Sequence, residues 1–155
     1  MQIGIDVGAT KIESVVLEDN GNETHRSRVD CPKDYNQILK TLKEINDSLE
    51  KKFNRTLPIG ICHPGIHSPQ TGLVKNAPNC YWLEKKPFQQ DLRKLLNKEV
   101  FCENDANCFA LSEAIDGAAK HYKVVYGIIL GSGAGGGLVV DRKIVSGPNG
   151  VAGEW

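Results

Sequence analysis

No apolar run in this 155-residue chain approaches the roughly 20 residues that a membrane-spanning helix needs. The first residues enter a strand-like pattern without a basic stretch and apolar core ahead of it, so no secretory signal is expected and the expected compartment is the cytoplasm. Net charge is also missing. Nineteen Lys and Arg balance nineteen Asp and Glu, which leaves no broad field to favour nucleic acid or an anionic membrane. Cys-x-x-Cys spacing does not occur. Cys31, Cys62, Cys80, Cys102 and Cys108 are odd in number and read as free, mostly buried thiols, not as a disulfide framework or a zinc site. No Gly-Lys-Ser/Thr closes a glycine loop, so a Walker A loop is excluded.

What is present reads as an α/β domain with a mixed sheet. Residues 2–7 and 12–18 are strand-like around Gly8-Ala9-Thr10-Lys11, and Asp19-Asn20-Gly21-Asn22 turns into a more polar third strand from Glu23 to Cys31. Tyr35, Ile38, Leu39, Leu42, Ile45, Leu49 and Phe53 follow helical spacing. Leu57 to Cys62 reads as a buried strand. Residues 63–87, dense in Pro, Gly and Asn, read as an irregular loop, and a loop of that length inside a compact domain is usually functional or disordered. A short helix at Phe88–Leu96, a strand at Glu99–Glu103 and a helix from about Ala106 to Ala119 follow. Residues 124–130 then lead into Gly131-Ser132-Gly133-Ala134-Gly135-Gly136-Gly137 and a second hairpin. The expected division is 1–117 for one domain and 118–155 for the opening strands of a second. Those few strands cannot bury a core alone, so the chain reads as part of a longer one.

Two glycine turns with bare backbone N–H groups suit a polyphosphate held between two halves. Gly131-x-Gly133-x-x-Gly136 spells a dinucleotide fingerprint, but a strand follows it where the fingerprint requires a helix. In the first turn Thr10 can donate to a phosphate oxygen and Lys11 can add charge. Asp6, at the end of an apolar strand, is costly unless a hydrated Mg²⁺ or a donor compensates it. Glu103-Asn104-Asp105-Ala106-Asn107 puts more polar groups at a strand-to-helix junction than one cap requires, and a carboxylate there suits accepting a proton from a bound hydroxyl. Pro64 and Gly65 deny His63 and His67 a shared helix, so a metal pair is not expected. Trp82 either stacks on a sugar or anchors its loop by burial.

In this order Asp6-x-Gly8-x-Thr10-Lys11, Pro64-Gly65, Asn104-Asp105-Ala106-Asn107, Gly131 to Gly137 and Ala152-Gly153-Glu154-Trp155 resemble the ROK family across the whole chain. These are bacterial sugar kinases of the actin/hexokinase-like (ribonuclease H-like) ATPase fold. Residues 68–82 look most like the fructokinase, or manno(fructo)kinase, branch. Asn107 to Ala114 looks equally like the N-acetylglucosamine kinases. The resemblance implies transfer of phosphate from ATP to the 6-hydroxyl of a hexose, with fructose as the expected sugar and N-acetylglucosamine, glucose or mannose as alternatives. It makes Asp105 the general base, and Asn104, Glu154, Gly65 and Asn79 the sugar site. Asp6, Gly8, Ala9, Thr10 and Lys11 would form the first phosphate turn, and Gly131, Ser132, Gly133, Ala134, Gly135, Gly136 and Gly137 the second. Mg²⁺ would bridge the phosphates, and the family's structural Zn²⁺ finds no ligand in this chain. A homodimer with no nucleic-acid or membrane partner is implied. The family's transcriptional repressors give a second reading, a non-enzymatic sugar sensor, which the balanced charge disfavours. Cys62-His63 replaces the family's usual glycine and aliphatic residue before Pro64, and Ala9 and Ser132 replace commoner Gly and Thr.

Overall fold

Six alternating residues, Gln2–Val7, form strand β1, whose Ile3, Ile5 and Val7 point into the core. It pairs antiparallel with β2 (Lys11–Leu17), which pairs antiparallel with β3 (Glu23–Asp30). On its other side β1 runs parallel to β4 (Ile59–His63), and β4 parallel to β7 (Val100–Asn104), so the sheet is mixed with order β3-β2-β1-β4-β7. The computed structural model describes residues 1–131 and 133–154.

One face of this sheet is covered by helix α1 (Tyr35–Phe53) and by α2 (Phe88–Leu96), with Ile38, Leu42, Leu49, Phe88 and Leu92 buried against Ile12, Ile59 and Ile61. Helix α1 starts where the periodicity predicts, because the Asp34 carboxylate accepts from the Gln37 N–H at 2.9 Å. Asn54, left-handed at φ 50°, ends it. The polar Asn46 on its buried side is matched by Lys98, whose ammonium donates to the Asn46 amide oxygen, to Glu50 and to the Leu57 carbonyl.

Residues 63–87 are not irregular, contrary to the sequence expectation. They hold a two-stranded hairpin, β5 (Ile66–His67) with β6 (Val74–Lys75), and a 3-10 helix over Pro78–Leu83. Among the core residues of this segment, Val74, Ala77, Cys80 and Leu83 recur every three positions, with Trp82 beside them, a spacing that fits neither the α-helical nor the strand period. Trp82 joins the core, which decides for the anchor over the stacking platform, and Tyr81 beside it is exposed.

Helix α3 (Asp105–Ile115) grows directly out of β7 and ends four residues before the expected Ala119. Its alanine stripe, Ala106, Ala110 and Ala114, packs on a second sheet of order β10-β9-β8, made of β8 (Val124–Leu130), β9 (Ala134–Val140) and β10 (Lys143–Ile144). The glycine-rich turn is shorter than expected. Gly135, Gly136 and Gly137 lie within β9, and between the two strands the Gly131 N–H donates to the Gly133 carbonyl at 2.8 Å. Opposite α3, Val124, Tyr126, Ile128 and Leu130 form an exposed apolar face.

Candidate active site at the carboxyl edge of the sheet

The parallel strands β1, β4 and β7 all end at the same edge of the first sheet, where open α/β sheets bind ligands. Asp6, Cys62 and Glu103 stand in register across these ends. The expectation that Asp6 is buried fails: it is exposed, and it accepts from the Cys62 thiol at 3.3 Å. With the Cys108 thiol beside it, and by burial, the Cys62 thiol is pushed far up and stays protonated. Lone pairs on Asp6 therefore remain for another donor or a hydrated cation.

Asn104 is the N-cap of α3. Its amide oxygen accepts from the Asn107 N–H at 3.0 Å, and its amide N–H donates to the Gly65 carbonyl at 2.9 Å. One side chain thus ends the β7 strand, begins the helix and clamps the Pro64-Gly65 turn. Gly65 sits at φ 79°, and an added Cβ would meet the Lys75 carbonyl at 2.6 Å, so only glycine fits. Asn107 reaches back to Glu103 at 3.0 Å, so most of the polar cluster is spent on holding the junction rigid.

Asp105, the first residue of α3, accepts from the Ala106 N–H at 2.8 Å. Burial pushes its carboxyl above the ordinary range, the Ala106 N–H works the other way, and Asp6 adds to the rise. Glu154 comes to the same place from the other end of the chain. Its carboxyl is raised by partial burial and then by Asp105, while the Gly136 N–H favours the charged form. The Glu154 loop is tied down by Tyr126, whose hydroxyl donates to the Gly153 carbonyl at 2.7 Å. No sequence pattern marked Tyr126 for this.

The first turn closes with Gly8 N–H donating to the Lys11 carbonyl at 2.9 Å, leaving Thr10 exposed and Ala9 partly so. Lys11 is ion-paired with Asp30 at the surface. In the second turn Gly131 has open space around it, and Gly133 lies beside the Asn79 amide, whose nitrogen is 3.3 Å from where a Cβ would stand. Gly136 and Gly137 have a different reason to be glycine. A Cβ on Gly137 would meet the Ala106 carbonyl at 2.3 Å, and one on Gly136 the Gly153 carbonyl at 2.2 Å. Ala134 opens β9 at the surface. Ser132 and Trp155 lie outside the described residues.

Sequence reasoning missed the meeting of His63 and His67, whose Nε2 atoms lie 3.0 Å apart. The signal was there in a different form. A Pro-Gly turn between two strands brings residues four apart face to face without a helix. No group of three or more His, Cys, Asp or Glu able to hold a metal occurs among the described residues, so a structural zinc has no fit here.

A family model described as "ROK family" matches residues 2–155. The N-acetyl-D-glucosamine kinase of Haemophilus influenzae is 42% identical over 155 residues, covering 99% of this chain and 51% of that protein. Its counterpart in Yersinia pestis is 40% identical over 158 residues, covering 100% of this chain and 60% of the relative. The chain spans about half the length of the curated relatives it matches. A Streptomyces griseus ROK glucokinase solved with glucose and AMPPNP superposes with TM-score 0.87 at 29% identity, over 99% of this chain and 48% of that one. A ROK hexokinase from Thermus thermophilus gives 0.86, also at 29% identity, over 99% and 51%. The fold is accordingly the actin/hexokinase-like ATPase fold, and the chain belongs to the ROK family.

Proposed function

We propose that this chain carries the sugar site and both phosphate turns of an ATP-dependent hexose 6-kinase. The observation that carries the reading is the convergence on Asp105. A raised carboxylate heads a helix, Asn104 clamps the neighbouring turn, and Glu154 arrives from a loop that also meets the second glycine hairpin. Asp105 would take the hexose hydroxyl proton at its free carboxylate oxygen while the other stays on the Ala106 N–H. Asn104, Gly65, Asn79 and Glu154 would orient the sugar. The Gly8 and Gly131 N–H groups are spent on closing their own turns, so other N–H groups of the two glycine turns, Thr10 among them, would cradle the polyphosphate, a task of positioning and charge placement more than of covalent chemistry.

Asp6 fits a hydrated Mg²⁺, because it is exposed at the strand end and its only hydrogen-bond donor among the described residues is a thiol. Such an ion, when bound, supplies neutralisation of phosphate charge. Relatives named as N-acetyl-D-glucosamine kinases move the favoured sugar from fructose to N-acetylglucosamine.

The test is ADP release by the full-length protein over a panel of fructose, mannose, glucose and N-acetylglucosamine, with Asp105→Asn alongside. The wild type should turn over N-acetylglucosamine fastest. The variant should bind sugar normally and lose roughly 10²–10⁴ in turnover, the usual worth of a positioned base. A variant as active as the wild type would remove Asp105 from that role.

A further inference from the structure

Two histidines beneath the Pro64-Gly65 turn make three contacts that two neutral rings cannot all satisfy. His63, fully buried at the end of β4, has Nδ1 at 2.9 Å from the Pro64 carbonyl. Its Nε2 faces the His67 Nε2 at 3.0 Å, and the His67 Nδ1 faces the Gly72 carbonyl at 3.2 Å. A carbonyl only accepts, so each outer contact needs a ring N–H, and the middle contact needs one more. Two neutral imidazoles carry two. Either one contact is empty or one extra proton is present.

Burial decides which contact is empty. It pushes the His63 imidazole down to about 4, so that ring stays neutral near pH 7, with its hydrogen on Nδ1 for the shorter carbonyl contact. His63 then offers a bare Nε2, and His67 must fill it with Nε2–H. That leaves the His67 Nδ1 bare against Gly72, the longest of the three contacts. His67 is only partly buried and is therefore the ring that takes the extra proton.

The surroundings are few. Helix α2 presents the Phe88 ring edge-on, 5.4 Å from His63, and the β5–β6 hairpin presents the Gly72 carbonyl. Strand β7 presents Glu103, whose charge favours His67 protonation; burial opposes it, and charge on either ring opposes charge on the other. The two Nε2 atoms gain no third His, Cys, Asp or Glu ligand among the described residues, so a proton and not a metal ion suits the gap.

Both ends of this relay touch the sugar site. The Pro64 carbonyl adjoins Gly65, which Asn104 holds. The His67 carbonyl lies 3.5 Å from where a Cβ on Gly150 would stand, and Gln70 donates to the Pro148 carbonyl at 3.3 Å, so the 68–72 turn abuts the loop leading to Glu154.

We propose that His63 and His67 are positioning residues for the sugar. The relay from His67 to His63 to the Pro64 carbonyl sets the Gly65 turn against Asn104. One further proton, on His67, closes the 68–72 turn against the loop that carries Glu154. This rests on the reading of Gly65, Asn104 and Glu154 as residues that face a hexose. Sugar affinity then improves as pH falls through the His67 transition, which lies below the ordinary imidazole range because of burial.

Ring ¹⁵N NMR on the full-length protein without sugar tests the relay by itself. His63 should carry hydrogen on Nδ1 and His67 on Nε2 at about pH 8, with His67 alone gaining a second hydrogen on acidification. Any other tautomer pair overturns the proposal and leaves the kinase reading untouched. Kinetics test the consequence. The hexose KM should fall about fivefold as His67 becomes protonated, the worth of one net hydrogen bond. His67→Ala should raise the neutral-pH KM by about the same factor with little change in kcat. His67→Gln, whose amide N–H can still donate to His63, should restore the neutral-pH KM but show no pH dependence. A KM in His67→Ala that follows the wild type at every pH overturns the proposal. Absence of any hexose-dependent ADP release would instead remove the kinase reading and this one with it.

Discussion

Asp6, Asp105 and Glu154 gather at the carboxyl edge of the first sheet, and their mutual repulsion sets how this edge answers to pH. Asp105 is raised by burial and then by Asp6, and Glu154 by burial and then by Asp105. With Asp105 as the proposed base, which works only when ionised, activity should fall on the acidic side at a pH above the ordinary Asp range. Replacing Asp6 removes one of the charges that hold the Asp105 proton on. In Asp6→Asn the acidic limb of the kcat/KM profile should therefore move to lower pH, whatever happens to the plateau. An unmoved limb would mean that Asp6 and Asp105 do not interact in the working enzyme. At this scale the sequence was legible wherever chemistry is local. Asn104 and Asp105 stand out because a strand-to-helix junction rarely needs four polar residues within five. Glu154 was legible only through resemblance, since nothing near it in the chain says what it will face.

Among the elements, α3 carries the most. It grows out of β7, presents Asp105 at its first turn and packs its alanine stripe on β8 and β9, so it joins the two sheets mechanically. Close approach is possible because Gly127 and Gly137 face Ala110 and Ala106. The glycine run thus serves two ends: open space at Gly131, and a flat strand surface for a helix at Gly137. Gly137→Ala would place a Cβ 2.3 Å from the Ala106 carbonyl. The Cβ would strike backbone and not the end of a flexible side chain, so relief requires moving α3 off β9. We expect a loss of about 1–3 kcal/mol, as in overpacked cores, read from urea unfolding, and a drop in turnover because Asp105 rides on the displaced turn. Full stability with normal turnover would show that α3 and β9 have slack. Sequence periodicity found α1 and α2 to the residue, since each has one clean apolar stripe. The sequence reading overran α3, whose alanines are good helix formers, because the helix ends at Ile115 and the chain turns at Asp116-Gly117 before Ala119 packs back on the same cluster.

For the molecule as a whole, the buried His63 makes stability depend on acid. Its folded-state pKa of about 4 lies below the 6.5 of the free side chain, so between these values the unfolded chain binds more protons than the folded one. The stabilisation is whole above the unfolded value and is lost as pH falls towards the folded one, on the order of 3 kcal/mol in all. Urea midpoints should drop between neutral pH and about pH 4.5, and His63→Leu should flatten that drop. Equal slopes in the two proteins would place the acid sensitivity elsewhere.

Much of the architecture follows from the sequence by itself. Strand alternation, the α1 stripe, the Asp19–Asn22 turn and the polar junction at 103–107 all express preferences of a short stretch of backbone, and those survive without tertiary context. Tertiary structure alone decided which distant groups meet. Asp6 was expected to be buried because its strand is apolar, yet the face it points to is open. Lys98 finds Asn46 across the core, and Glu154 reaches Asp105 from 49 positions away in the chain. Such meetings depend on sheet order and register, which pair residues far apart in sequence, and no local pattern encodes them.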